Sequence, residues 1–238
     1  MTERTAMVLA AGRGARMRPL SAMTPKPLIE VAGKALIDYL FDRLESGGVT
    51  RFVVNVHYLP DLIEVHVKKR APGRVEISDE RDGLLETGGG IVKALPLLPD
   101  EPFLVANSDT FWVEGASNDV ARLIAAYDQT VMDGLLLLSP TVSAVGYDGN
   151  GDFDLSGDGR LTRRAEKTIA PFVYAGCGLF SRRAFEGMPP GPFSLNVVFD
   201  RLLAKGRLFG LRLDGLWLHV GTPAAISEAE RAIYSSAA

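Results

Sequence analysis

The chain is poor in the features that disulfide scaffolds, zinc ribbons and membrane spans are made of. Its 238 residues hold a single cysteine, Cys177. That excludes an intramolecular disulfide and any zinc site of the CxxC type. No apolar run approaches the ~20 residues that a bilayer-crossing helix needs. The apolar stretch 6–11 is too short for the core of a secretory signal. Internal repeats, low-complexity tracts and blocks of like charge are all missing. Lys and Arg total 26 against 29 Asp and Glu, a formal charge of −3, with no sign of the basic stripe of a nucleic-acid binder. No GxxxxGK[ST] loop occurs, and the dinucleotide pattern GxGxxG fails because its third glycine would fall at Met17. These absences point to a cytoplasmic soluble enzyme without nucleic-acid or membrane partners.

What is present is an ordinary globular composition, 47% apolar and 23% charged, long enough for one large α/β domain. Residues 6–11 suit a buried strand running into the glycine loop Gly12-Arg13-Gly14. Leu36, Ile37, Leu40, Phe41 and Leu44 fall at helical spacing. Strand patterns follow at 51–58, 75–77, 103–106 and 134–138. Between them the sequence predicts a helix to Lys69 capped by Asp61, a helix over 91–98 after a turn at Gly88–Gly90, and a helix over 119–127. Such alternation favours a mainly parallel sheet with helices on both faces. The pattern then changes to short β-like pieces at 153–155 and 172–180, helices at 194–205 and 223–234, and strands at 208–213 and 216–220. The simplest organisation is one domain, 1–238, with a nucleotide-binding half (1–139) and a substrate-shaping half (140–238) on one sheet.

The most informative stretch is LAAGRGARMRPL at 9–20, followed by TPKPL at 24–28. No carboxylate intervenes between Glu3 and Glu30, so Arg13, Arg16, Arg18 and Lys26 stand unneutralised in sequence. A glycine loop leaving a buried strand lets backbone N–H groups approach a ligand closely. Cations beside it make a site for a polyphosphate. Asn107-Ser108-Asp109 ends a strand, where open α/β sheets bind ligands. Cys177, in the small-residue stretch YAGCG, reads as a packed thiol. His57 and His66 read as core or surface residues.

The string LAAGRGARMRPLSAMTPKPL resembles the signature GxGxRxxPLTxxxPKPL of sugar-1-phosphate nucleotidylyltransferases, with Ser21 where threonine is usual. The resemblance implies a Rossmann-like, mainly parallel mixed sheet flanked by helices, the nucleotide-diphospho-sugar transferase fold, with a small sugar-binding β portion. It implies Arg16 and Lys26 as the catalytic cations and Leu9, Ala10, Ala11, Gly12, Gly14 and Ala15 as the loop around the nucleoside triphosphate. LETGGGI at 85–91 resembles the base-contacting segment, bringing in Glu86 and Gly88. Asn107, Gly176, Glu166 and Asn196 fall at sugar-phosphate positions, although the proline that usually follows the pair Glu166-Lys167 is missing. Asp109 matches a Mg²⁺ ligand. WLHVGTP at 217–223 matches W-x-D-[IV]-G-T-P with His219 in place of the second metal aspartate. His219 is then a direct ligand, a holder of metal-bound water or a phosphate contact. Within the family, LETGGGI and the short length look most like the N-acetylmuramate 1-phosphate uridylyltransferases. Mannose- or heptose-1-phosphate guanylyltransferases and a non-catalytic nucleotide-sugar sensor are the alternatives. The implied partners are a nucleoside triphosphate and a sugar 1-phosphate, and the implied assembly is a monomer or small homo-oligomer.

Overall fold

Thirteen strands and six helices form from residues 3–236, the part of the chain described by the computed structural model. In the first half, apolar strands feed amphipathic helices: β1 (Thr5–Leu9), the small hairpin β2 (Glu30–Val31) and β3 (Lys34–Ala35), α1 (Leu36–Ser46), β4 (Arg51–Val56), α2 (Pro60–Arg70), β5 (Val75–Asp79), α3 (Glu86–Ala94) and β6 (Phe103–Asn107). There follow β7 (Thr110–Val113), α4 (Asp119–Ala126), β8 (Gly134–Pro140), β9 (Phe153–Leu155), β10 (Leu161–Arg163), β11 (Phe172–Phe180), α5 (Asn196–Ala204), β12 (Leu208–Arg212), β13 (Leu216–His219) and α6 (Pro223–Ser236).

The main sheet runs β5-β4-β1-β6-β11-β8-β12, with β9 and β10 added beside β11. Along that path only β11 runs against the others. This is the mixed, mostly parallel sheet expected. One sheet carries both halves of the chain, because β11 pairs with β6 on one side and β8 on the other. Alternation along β1 explains the burial of both sheet faces. Ala6 and Val8 join one apolar cluster with Phe41, Leu44 and Phe52, while Met7 and Leu9 join another with Ile91, Phe103 and Phe199. The sheet is thus sandwiched, with the Phe41 and Phe52 rings stacked at 4.2 Å beneath α1. A third cluster, with Met17, Leu36, Phe111 and Leu218, lies under the N-terminal loop.

Two local expectations are corrected. Asp61 does not cap α2: the helix starts at Pro60 after Leu59, whose φ is +47°, and the Asp61 carboxylate instead accepts from Arg81 at 2.6 Å. Proline at the first helical position needs no N–H partner, so it serves where a side-chain cap was expected. The triple glycine is not a turn before a helix but lies inside α3. Crowding is the reason: a Cβ at Gly88 would lie 2.3 Å from the Phe193 ring, and one at Gly89 2.1 Å from the Gly191 carbonyl oxygen.

β1 sits between β4 and β6: the chain runs from β1 outward to β4 and β5 and then crosses back through α3 to β6 on the other side. A crevice opens at that point beyond the C-terminal ends of the parallel strands.

Candidate active site

The crevice is a cleft of about 520 Å³, lined on one side by Leu9, Ala10, Ala11, Gly12, Gly14 and Ala15 of the glycine loop and at its floor by Arg16, Lys26, Asn107 and Asp109. The loop is held open by specific contacts. Ala10 N–H donates to Asn55 Oδ1 at 2.7 Å, and Asn55 Nδ2 donates to Glu80 Oε1 at 2.7 Å. Glu80, fully buried, also accepts from Leu85 N–H at 3.0 Å. This pair ties the loop after β1 to the segment preceding α3, and sequence reasoning missed it because Glu80 looks like any surface acid in DERDG. On the other wall, Ser108 Oγ donates to the Leu9 carbonyl at 2.7 Å and joins the ends of β1 and β6.

Gly14 has φ +59°, the left-handed region that favours glycine. A Cβ there would also press on Lys26 Cβ at 3.0 Å, so the missing side chain lets the lysine stem lie along the loop. The Lys26 Nζ reaches Asp109 Oδ2 at 2.8 Å, with the lysine side chain 11% and the aspartate side chain 29% exposed. Burial works against ionisation of Asp109, yet the Lys26 ammonium beside it, helped by His219, keeps its carboxyl below the ordinary carboxylate value. Arg16 also lines the cleft, and among the described residues no ion pair or side-chain hydrogen bond engages Arg13, Arg16 or Arg18. The outward Arg13 and Arg18 are not brought to the cleft.

His219 is delivered by β13, the strand expected at 216–220, which pairs with a strand, β7, that sequence reasoning missed. β7 follows Asp109 immediately and pairs with β13, setting His219 opposite Thr110. The run Thr110-Phe111-Trp112-Val113, β-branched and aromatic, was the available signal. His219 stacks on Trp217 at 5.6 Å, and its Nδ1 is enclosed without a partner. Its Nε2 lies against Gly221, where a Cβ would come within 2.7 Å. It lines a second cavity of about 710 Å³ under α6, which shares Arg16 and Gly221 with the first. Burial pushes its pKa below the ordinary value, and the nearby Lys26 and Arg16 add to this against the pull of Asp109. The imidazole is therefore neutral at pH 7, which disfavours its use as a cation on phosphate.

The other expected positions divide. Glu86 lines the cleft, but Gly88 packs against Phe193 and gives its N–H to the Phe193 carbonyl at 2.8 Å. Gly176, φ +80°, lies at the irregularity in β11 beside Asn107 and Thr110, behind the cleft wall. Glu166 is exposed on the loop after β10, and Asn196, the exposed first residue of α5, accepts from Arg163 at 3.4 Å. Neither reaches the cleft, whereas Ser194 and Thr87 do. Cys177 is buried, and that burial pushes its thiol up to about 12, so it is a packed thiol. His57 bonds to the Glu80 carbonyl and His66 to Asp38, both outside the cleft.

Few donors in the cleft suit a divalent cation. Among the described residues no group of three or more His, Cys, Asp and Glu gathers to hold a metal. Asp109 nevertheless offers one carboxylate facing the cleft, which fits Mg²⁺ because that ion is commonly held by one or two carboxylates plus substrate phosphates.

Comparison with known proteins agrees with this geometry. The Nucleotidyl transferase family matches residues 5–236. The chain is 48% identical to an N-acetylmuramate alpha-1-phosphate uridylyltransferase of Caulobacter vibrioides, over 94% of this chain and 95% of the relative. It is 36% identical to the enzyme of the same name from Neisseria meningitidis serogroup B, over 94% and 96%. HddC from Yersinia pseudotuberculosis, solved in complex with GMP-PN, superposes with a TM-score of 0.77 at 23% identity, covering 97% of this chain and 99% of that one.

Proposed function

We infer that this chain, which belongs to the nucleotidyl transferase family, moves a nucleoside monophosphate from a nucleoside triphosphate to a sugar 1-phosphate and releases pyrophosphate. We assign UTP and N-acetylmuramate 1-phosphate as the substrate pair, supported by the two uridylyltransferase relatives matched over nearly the whole chain. The observation that carries the reading is the Lys26–Asp109 pair at the floor of a cleft walled by an acid-free glycine loop.

In this reading the loop 9–15 cradles the triphosphate, and Asn55, Glu86 and Thr87 border the base. Asn107 and residues 140–238 shape the sugar side, with Gly176 packed behind Asn107 and with Glu166 and Asn196 outside the cleft. A phosphate oxygen of the sugar 1-phosphate attacks the α-phosphorus in line, and the bond to the β-phosphate breaks. That oxygen is already ionised at neutral pH, so the protein supplies no base and no covalent nucleophile. The chain must bring two anions together. Lys26 and Arg16 are fixed cations where negative charge gathers, worth most because they need no reorganisation at the moment of reaction. Asp109 would hold Mg²⁺, which neutralises phosphate charge when bound. Such an enzyme works in the cytoplasm, where nucleoside triphosphates are made.

Pyrophosphate release measured over a panel of triphosphates and sugar phosphates tests the assignment. The expected result is turnover with UTP and N-acetylmuramate 1-phosphate. Turnover with GTP and mannose or heptose 1-phosphate alone would replace it with the guanylyltransferase reading, and tight binding without turnover would replace it with the sensor.

A further inference from the structure

We propose that Lys26 competes with the divalent cation for Asp109, so that the metal is admitted together with the nucleotide and not before it. The inference rests on reading the cleft as a nucleotide and metal site, and it concerns the order in which that site fills.

Three features carry it. The ammonium is already on the carboxylate, at 2.8 Å, with its stem pressed along Gly14 and little of the side chain in water. Asp109 is the carboxylate that the ammonium engages, while Glu86, the other acid lining the cleft, makes no ion pair with it, and among the described residues no group of three or more metal-ligating side chains forms. The Asp109–Lys26 pair has no net formal charge, which gives a strongly hydrated dication little reason to shed water. A metal on the free carboxylate oxygen would also sit within a few ångströms of the ammonium and be repelled by it.

The nucleotide changes both terms. Lys26 and the glycine loop line the same cleft, so triphosphate oxygens arrive within reach of the ammonium and offer it more negative charge than one carboxylate does. Drawn onto phosphate, Lys26 uncovers Asp109, and the phosphates supply the remaining oxygen ligands. The lysine thus has two successive partners, and the first keeps the site closed to stray cations.

Mn²⁺ binding to the full chain, followed by electron paramagnetic resonance without turnover, tests this. Nucleotide-free wild type is expected to bind Mn²⁺ weakly, and a non-hydrolysable UTP analogue is expected to tighten it. Lys26→Met should tighten Mn²⁺ binding without nucleotide by about tenfold or more, the scale set by one adjacent charge. Lys26→Arg should not, and adding Asp109→Asn to Lys26→Met should abolish the gain. Equal Mn²⁺ affinity in wild type and Lys26→Met would overturn the competition. Tightening by Lys26→Met with no response to any nucleotide would instead overturn the nucleotide reading of the cleft.

Discussion

At the scale of single residues, Arg16 and His219 lie side by side across Gly221 yet are expected to respond differently to substitution. Arg16 is exposed and makes no ion pair among the described residues. In the proposed mechanism it acts on charge that builds during reaction, so Arg16→Ala is expected to lower kcat by roughly 10²–10³ with a smaller rise in KM. Steady-state kinetics decides: a rise in KM alone would make Arg16 a ground-state contact. His219 shows its environment through stability. Its folded-state pKa is depressed, chiefly by burial, so the unfolded chain takes up a proton more readily. Its contribution is therefore full above the ordinary value of about 6.5 and is lost as pH falls below that toward the folded value. Metal-free protein carrying His219→Gln should lose less Tm between pH 7.5 and 5.5 than wild type. Equal losses would show that the ring is not desolvated.

At the scale of elements, α3 shows why a glycine run belongs in a helix. Each glycine costs about 1 kcal/mol against alanine there, and close approach to the 191–193 loop offsets the cost. Gly88→Ala meets a ring that can turn, whereas Gly89→Ala meets a backbone carbonyl. Urea unfolding is expected to show the larger destabilisation, about 1–3 kcal/mol, for Gly89→Ala. Phe193→Ala should rescue part of the Gly88→Ala loss and none of the Gly89→Ala loss. This element also marks the limit of what the sequence reveals. The glycine loop, Lys26 and Asp109 were legible because an acid-free cationic stretch and an aspartate closing a buried strand are local patterns. The Asn55–Glu80 tie, β7 with its pairing to β13, and the helical placement of Gly88 were not, because each depends on a partner distant in sequence. Glu166 and Asn196 were placed by motif position alone, and the loop after β10 and the start of α5 hold them outside the cleft.

At the scale of the whole molecule, β11 joins β6 to β8 and so seams the two halves of the chain. Equilibrium unfolding followed by both tryptophan fluorescence and circular dichroism is expected to give one coincident transition. Two separated transitions would mean that residues 1–139 and 140–238 hold together independently. The other margin of the sheet has a different significance. Among the described residues β5 pairs only with β4, leaving a row of backbone donors and acceptors open to a foreign strand. Glu76 and Asp79 stand on that strand, engaged by Arg51 and Arg81, and charged side chains along an edge disfavour the docking of a foreign strand. The border that closes no barrel is thereby guarded against aggregation.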